Sequence, residues 1–186
     1  MSVEAATSFI SKVMSGATGR IRAEFVNPFI QAAHDVMRAE LQIQDLGRGD
    51  LALQSTSYTS DEVTVMVGVV GELQGVVLYG MSERTAKNMV SSMLGEIYPV
   101  FDRTVESAIA ELGNVVTGAA SQELEKAGFS CRLTPPMVVT GRGAIISTIS
   151  IQRLVVPIVC QLGSLTIHVA LRDVSPEPPK ASAAAK

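Results

Sequence analysis

The chain has 186 residues, 47% of them hydrophobic and 18% charged, with a formal net charge of −3. That composition suits one well-buried globular domain and argues against disorder. Three Tyr, five Phe and no Trp on a slightly acidic chain supply neither the basic field nor the stacking platform of a nucleic-acid binder.

No apolar run approaches the ~20 residues that span a bilayer, and the first residues lack the basic, apolar and small-residue succession of a signal peptide. Cys131 and Cys160 stand apart, outside any CxxC pattern. A reduced, cytoplasmic setting without membrane association is expected.

In chain order, Val3, Ala6, Phe9, Ile10 and Val13 have helical spacing, but Ser15-Gly16-Ala17-Thr18-Gly19 would stop such a helix. Residues 1–21 are therefore expected to form a loosely attached extension. Asn27-Pro28 predicts a helix start, because Asn caps free amides and Pro fits the first helical position. Phe29, Ala33, Val36 and Met37 would be its buried stripe, ending before Gly47-Arg48-Gly49, which reads as a turn. Strands are predicted at 51–58, 62–70 and 73–80. In the second, Val63, Val65, Val67 and Val69 alternate with Thr64, Met66 and Gly68, and Gly71-Glu72 joins it to the third as a tight hairpin.

Ser82 caps a further helix, with Ala86, Met89, Val90, Met93 and Leu94 on its apolar face and Gly95 at its end. A longer helix runs from about Asp102 to Ala127. After Gly128, strands are predicted near 130–133, 144–151, 154–161 and 165–171, punctuated by Pro135-Pro136 and Gly141-Arg142-Gly143. The last residues, from about 174, are rich in Pro and Ala and read as a disordered tail. Helix followed by strands occurs twice. Short links between adjacent strands favour antiparallel pairing, so the expected fold is a single α+β domain, residues 22–173, with helices packed on a mostly antiparallel sheet.

The long helix carries the strongest functional lead. Val105, Ile109, Leu112 and Val116 recur at three- and four-residue intervals, the pattern of a stripe turned to a core. At about 100° per residue, Ser107, Glu111, Asn114 and Gly118 fall roughly 140° to 200° from Ile109, on the opposite face. The amide of Asn114 can both donate and accept, and so can hold and orient a water molecule without titrating. Glu111, one turn back, can pair with a cation on a partner or substrate. Such equipment suits hydrolysis of an already activated bond, where positioning the water lowers much of the barrier. The ordinary alternative is a solvated helix face that happens to carry Glu and Asn. Gly118 and Ala110 add little bulk, so a partner surface could come close.

Other chemistry finds little support. His34 and His168 are the chain's two histidines, each isolated and read as structural. No cluster has metal-ligand spacing, no GxSxG elbow occurs, and the glycine-arginine-glycine turns do not match a phosphate loop. Met89 and Met93 fit core packing.

Asn27-Pro28-Phe29 together with Ser107-x-x-x-Glu111-x-x-Asn114 and the following Pro135-Pro136 resembles the CheC/CheX/FliY phosphatases of bacterial chemotaxis over residues 22–172. A single Glu-x-x-Asn helix, absent from the first helix here, is most similar to the CheX branch. The chain departs from the family pattern in the loop length before the prolines and in reading Gly118-Ala119-Ala120 where Gly-Asn-Ala is common. The resemblance implies dephosphorylation of a phosphorylated CheY-like response regulator, with Glu111 and Asn114 catalytic and Ser107, Gly118 and Pro136 contacting the partner. In it, Asn114 orients a water for in-line attack, and Glu111 pairs with the regulator's active-site lysine. It further implies no cofactor on this chain, Mg²⁺ supplied by the regulator, and a homodimer joined through sheet edges. A non-catalytic adaptor that binds a regulator or chemotaxis complex is the alternative, and a flagellar-switch component a third.

Overall fold

The computed structural model describes residues 23–43, 45–54, 57–148 and 151–174. The expected N-terminal extension and the tail beyond residue 174 lie outside the described residues. Among those described, three helices are present: α1 (Ala23–Leu41), α2 (Glu83–Leu94) and α3 (Arg103–Lys126). The strands are β1 (Gly47–Arg48), β2 (Ala52–Gln54), β3 (Ser57–Thr59), β4 (Val63–Gly71), β5 (Leu73–Met81), β6 (Cys131–Leu133), β7 (Met137–Thr140), β8 (Ile145–Ser147), β9 (Arg153–Cys160) and β10 (Gly163–Asp173). The main sheet has eight strands in the order β1-β9-β10-β5-β4-β6, with β2 also on β9 and β7 also on β4; β3 and β8 form a separate pair. Every pairing is antiparallel. The α+β architecture with helices on an antiparallel sheet is the expected one.

The alternation in β4 decides which face the helices cover. Val63, Val65, Val67 and Val69 are all buried, as are Leu73, Val77, Tyr79 and Met81 on β5 and Leu165, Ile167, Val169 and Leu171 on β10. The register places Ile167 beside Tyr79, and Tyr79 beside Val65, so these side chains form one row across the sheet. The helices meet that row with Phe29, Ala33 and Met37 of α1, Ala86, Met89 and Val90 of α2, and Val105, Ile109, Leu112 and Val116 of α3. Fully burying each Val, Leu or Ile side chain contributes roughly 1.5–3 kcal/mol, so α3 is held chiefly by this stripe. The repeated order of helix then strands becomes two hairpins, β4–β5 and β9–β10, joined side by side through β5 and β10.

Ser82 caps α2 by accepting from the Thr85 amide at 3.0 Å, and Gly95 closes it in the left-handed conformation at φ 71°. Asp102 caps α3, accepting from the amides of Thr104 (2.9 Å) and Val105 (3.0 Å). The Gly71 hairpin also stands, with Gly71 at φ 135°.

Four local expectations are corrected. Asn27-Pro28 does not start a helix: Pro28 lies inside α1. Phe25 and Val26, before it, are fully buried, and the Phe25 ring meets Phe129 edge-on at 5.1 Å. Tertiary burial thus holds helix where the local signal favours a boundary. The predicted strand at 51–58 divides into β2 and β3, which belong to different sheets. Gly47-Arg48 is a short strand on β9, and β7 follows the two prolines; neither carries enough periodic pattern to be read locally. Leu94, placed on the apolar face of α2, is 46% exposed.

Candidate active site on helix α3

Gly113 lets α3 lie unusually close to the sheet. A Cβ added there would stand 2.9 Å from Val65 Cγ1 and 3.3 Å from the Tyr79 ring, so only glycine accepts this approach without displacement. Tyr79 Oη and Thr117 Oγ1 are 2.7 Å apart, and Thr117 Oγ1 donates back to the Gly113 carbonyl at 2.7 Å. Burial pushes the Tyr79 phenol up from its ordinary value, so it stays a neutral donor.

Once α3 is seated this way, its far face is set. Ser107 and Glu111 are exposed, while Asn114 and Gly118 are half-buried. Among the described residues, nothing lies within 4 Å of a Cβ built on Gly118, so packing among them does not demand its small size. Among the described residues, neither the Glu111 nor the Asn114 side chain has a hydrogen-bond or ion-pair partner. A carboxylate and a carboxamide one turn apart therefore stand free to meet something from outside.

The two do not point the same way. Ser121 lies about 20° around the helix from Asn114, and its hydroxyl reaches Cys131 Sγ of β6 at 3.4 Å. That direction leads to the sheet edge made by β6 and β7. Asn114 therefore leans toward the edge, whereas Glu111, a further ~60° round, faces outward. Pro136 is half-buried and immediately precedes β7, whose Met137 pairs with Met66 of β4. The structure thus sets Ser107, Glu111, Asn114 and Gly118 along one stripe and puts Pro136 on the strand edge toward which Asn114 leans. Pro135, beside it, is exposed. The role of Gly113, Tyr79 and Thr117 in seating the stripe was missed from sequence. A glycine in the middle of an otherwise well-formed helix was the available signal.

The remaining candidates lie elsewhere. His34 is half-exposed beside Asp35 (3.6 Å). His168 is on the opposite face of the sheet, where Arg153 donates to its Nδ1 at 2.9 Å and the Tyr58 ring lies 4.5 Å away. Burial, with Arg153 as the second cause, lowers the His168 pKa to about 4. Among the described residues, no group of three or more His, Cys, Asp or Glu side chains is placed to hold a metal ion, and no helix is long and apolar enough to cross a membrane.

Residues 63–159, which include the whole of α3, match the family model of the chemotaxis phosphatase CheX. The chain belongs to the CheX family. A relative from Thermotoga maritima, the CheY-P phosphatase CheX, is 34% identical over 121 residues, covering 64% of this chain and 77% of that protein. Among solved structures, the Borrelia burgdorferi complex of CheX with CheY, BeF3 and Mg²⁺ superposes with a TM-score of 0.71 at 28% identity, over 80% of this chain and 98% of that one. CheX from Vibrio vulnificus gives a TM-score of 0.72 at 26% identity, over 80% and 99% of the two chains.

Proposed function

We propose that the protein hydrolyses the aspartyl phosphate of a CheY-like response regulator in chemotaxis signalling. The observation that carries this reading is the unpartnered Glu111 and Asn114 pair, one helical turn apart on a helix seated firmly against the sheet. The relative's activity and the CheY bound in the Borrelia complex point to the same partner.

An acyl phosphate is already activated, so the catalyst's task is to place a water in line with the scissile bond. Asn114 accepts from and donates to that water. The water oxygen bonds to phosphorus as the bond to the aspartyl oxygen breaks, and the regulator's carboxylate leaves. Glu111 pairs with the regulator's active-site lysine and so fixes the docking register. Mg²⁺ arrives with the regulator and neutralises charge on the phosphoryl oxygens. Ser107 and Gly118 extend the contact along α3, and Pro136 flanks it at the strand edge. No covalent intermediate on this chain is required. The same reading places the protein in the cytoplasm, as a homodimer paired through a sheet edge.

The test is phosphate loss from phosphorylated regulator in the presence of Mg²⁺. Asn114→Ala is expected to slow turnover about a hundredfold, comparable to losing one well-placed catalytic donor, with the melting temperature unchanged. Decay as fast as with the intact protein would remove the role given to Asn114. Stable binding without acceleration by the intact protein would favour the adaptor instead.

A further inference from the structure

The face of α3 that would meet the regulator is coupled to the sheet by a short chain of hydroxyls. Thr117 carries one hydroxyl hydrogen, and the Gly113 carbonyl, which can only accept, takes it at 2.7 Å. The 2.7 Å contact between Tyr79 Oη and Thr117 Oγ1 must then run from the tyrosine, as O–H donor, to the threonine oxygen. The order is Tyr79 to Thr117 to the carbonyl of Gly113. That carbonyl belongs to the same rigid peptide plane as the amide nitrogen of Asn114.

A threonine bonding back to the fourth residue before it is common in helices. What is particular here is the support beneath it. Tyr79 is 2% exposed on the central strand β5, and the clamp acts at the one turn where a missing Cβ lets α3 settle onto Val65 and the tyrosine ring. A buried chain of this kind polarises along its length and tolerates little displacement.

We propose that Tyr79 is a positioning residue for phosphoryl hydrolysis: through Thr117 it fixes the Gly113–Asn114 peptide and so the height and direction of the Asn114 carboxamide. The proposal rests on the role given to Asn114 above. Tyr79 touches neither the regulator nor the water. It determines how far the amide stands from the sheet, and a misplacement of a fraction of an ångström at that peptide is enlarged at the end of the side chain.

The experiment measures kcat and KM of the full chain toward a CheY-like regulator kept phosphorylated with a small-molecule phosphodonor, with Mg²⁺ present. Binding is measured separately to the regulator charged with beryllofluoride. Tyr79→Phe and Thr117→Val are each expected to lower kcat about tenfold, with KM and binding unchanged within about twofold. The double variant should lose no more than either alone, since both break one chain. Thr117→Ser, which keeps the hydroxyl, should turn over like the parent. Because Thr117→Val keeps the shape of the threonine and Thr117→Ser removes a single methyl group, this pair decides the matter if Tyr79→Phe folds poorly.

Equal turnover by Thr117→Val and Thr117→Ser, or a loss carried by KM rather than kcat, would overturn the proposal. Should Asn114→Ala abolish turnover while Tyr79→Phe and Thr117→Val do not affect it, the positioning role fails and the phosphatase reading stands. If Asn114→Ala itself has no effect, the reading beneath the proposal fails with it.

Discussion

The two faces of the main sheet treat polar side chains in opposite ways. On the helix side, Thr117 of α3 turns inward to Tyr79, but the side chains of Glu111 and Asn114 point away from the core and are left without partners among the described residues. On the other side, polar groups turn inward and bond chiefly to one another. Arg153 is 1% exposed; it donates to His168 Nδ1 (2.9 Å), to Gln54 Oε1 (3.2 Å) and to the Ser57 carbonyl, and it lies over the Tyr58 ring at 5.1 Å. Tyr58 also meets Thr64 Oγ1 at 3.0 Å and donates to Asp61 at 3.2 Å. This network fastens the β3–β8 pair onto the back of the sheet. A polar group whose bonding capacity is used inside the fold acts on stability, whereas one left unused at the surface is available to a partner.

The sharpest way to break that contrast is on the back face. Arg153→Met would leave the Ser57 carbonyl, Gln54 and His168 without their donor, and chemical denaturation should show a loss of about 3 kcal/mol. Turnover per folded molecule should not change. A large fall in turnover with stability intact would show that the buried network belongs to the active site after all.

Acid should find the same network next. The Arg153 donor makes Nδ1 of His168 the acceptor, so its proton sits on Nε2, which is buried with no hydrogen-bond partner among the described residues. Folded His168 has its pKa lowered to about 4 from the ordinary 6.5. The unfolded chain therefore binds this proton more readily, and stability is complete above pH 6.5. It falls as the pH drops from 6.5 toward 4, by up to about 3 kcal/mol, as the imidazolium is forced against Arg153. Denaturation midpoints measured across that range should flatten in His168→Gln. A midpoint that still falls equally would assign the acid sensitivity elsewhere.

On the helix side, Gly113→Ala should cost roughly 1–2 kcal/mol, because the new methyl group meets Val65 Cγ1 at 2.9 Å within a packed core. Unlike Arg153→Met, it should also reduce turnover, since α3 must lift. Gly118→Ala is the smallest expected change and has the opposite sign. With nothing within 4 Å of the added methyl, the substitution should stabilise the helix by about 0.5–1 kcal/mol. A rise in KM for the phosphorylated regulator, with kcat kept, would place the partner's surface over Gly118.

Much of this was legible locally. The alternation in β4, the Gly71 hairpin, the Ser82 and Gly95 caps and the α3 stripe all rest on interactions between residues close in sequence, so pattern and capping chemistry reveal them. So does the facing of Ser107, Glu111, Asn114 and Gly118, because helical geometry alone separates them from Ile109. The failures share a cause. Asn27-Pro28 is a sound start signal, overruled by Phe25 and Val26 packing into a core whose other members lie far along the chain. β1 and β7 are strands because β9 and β4 offer them an edge, not because their own residues insist on it.

Periodicity and short-range hydrogen bonds specify α2, α3, the central hairpins and the polar stripe on α3. How deep that stripe's helix sits, and toward which edge Asn114 leans, depends on contacts between residues distant in the chain. The depth follows from Gly113, Thr117 and Tyr79 meeting across 38 residues of chain, and the lean from Ser121 reaching Cys131 on β6, contacts that exist only once the sheet has formed beneath the helix.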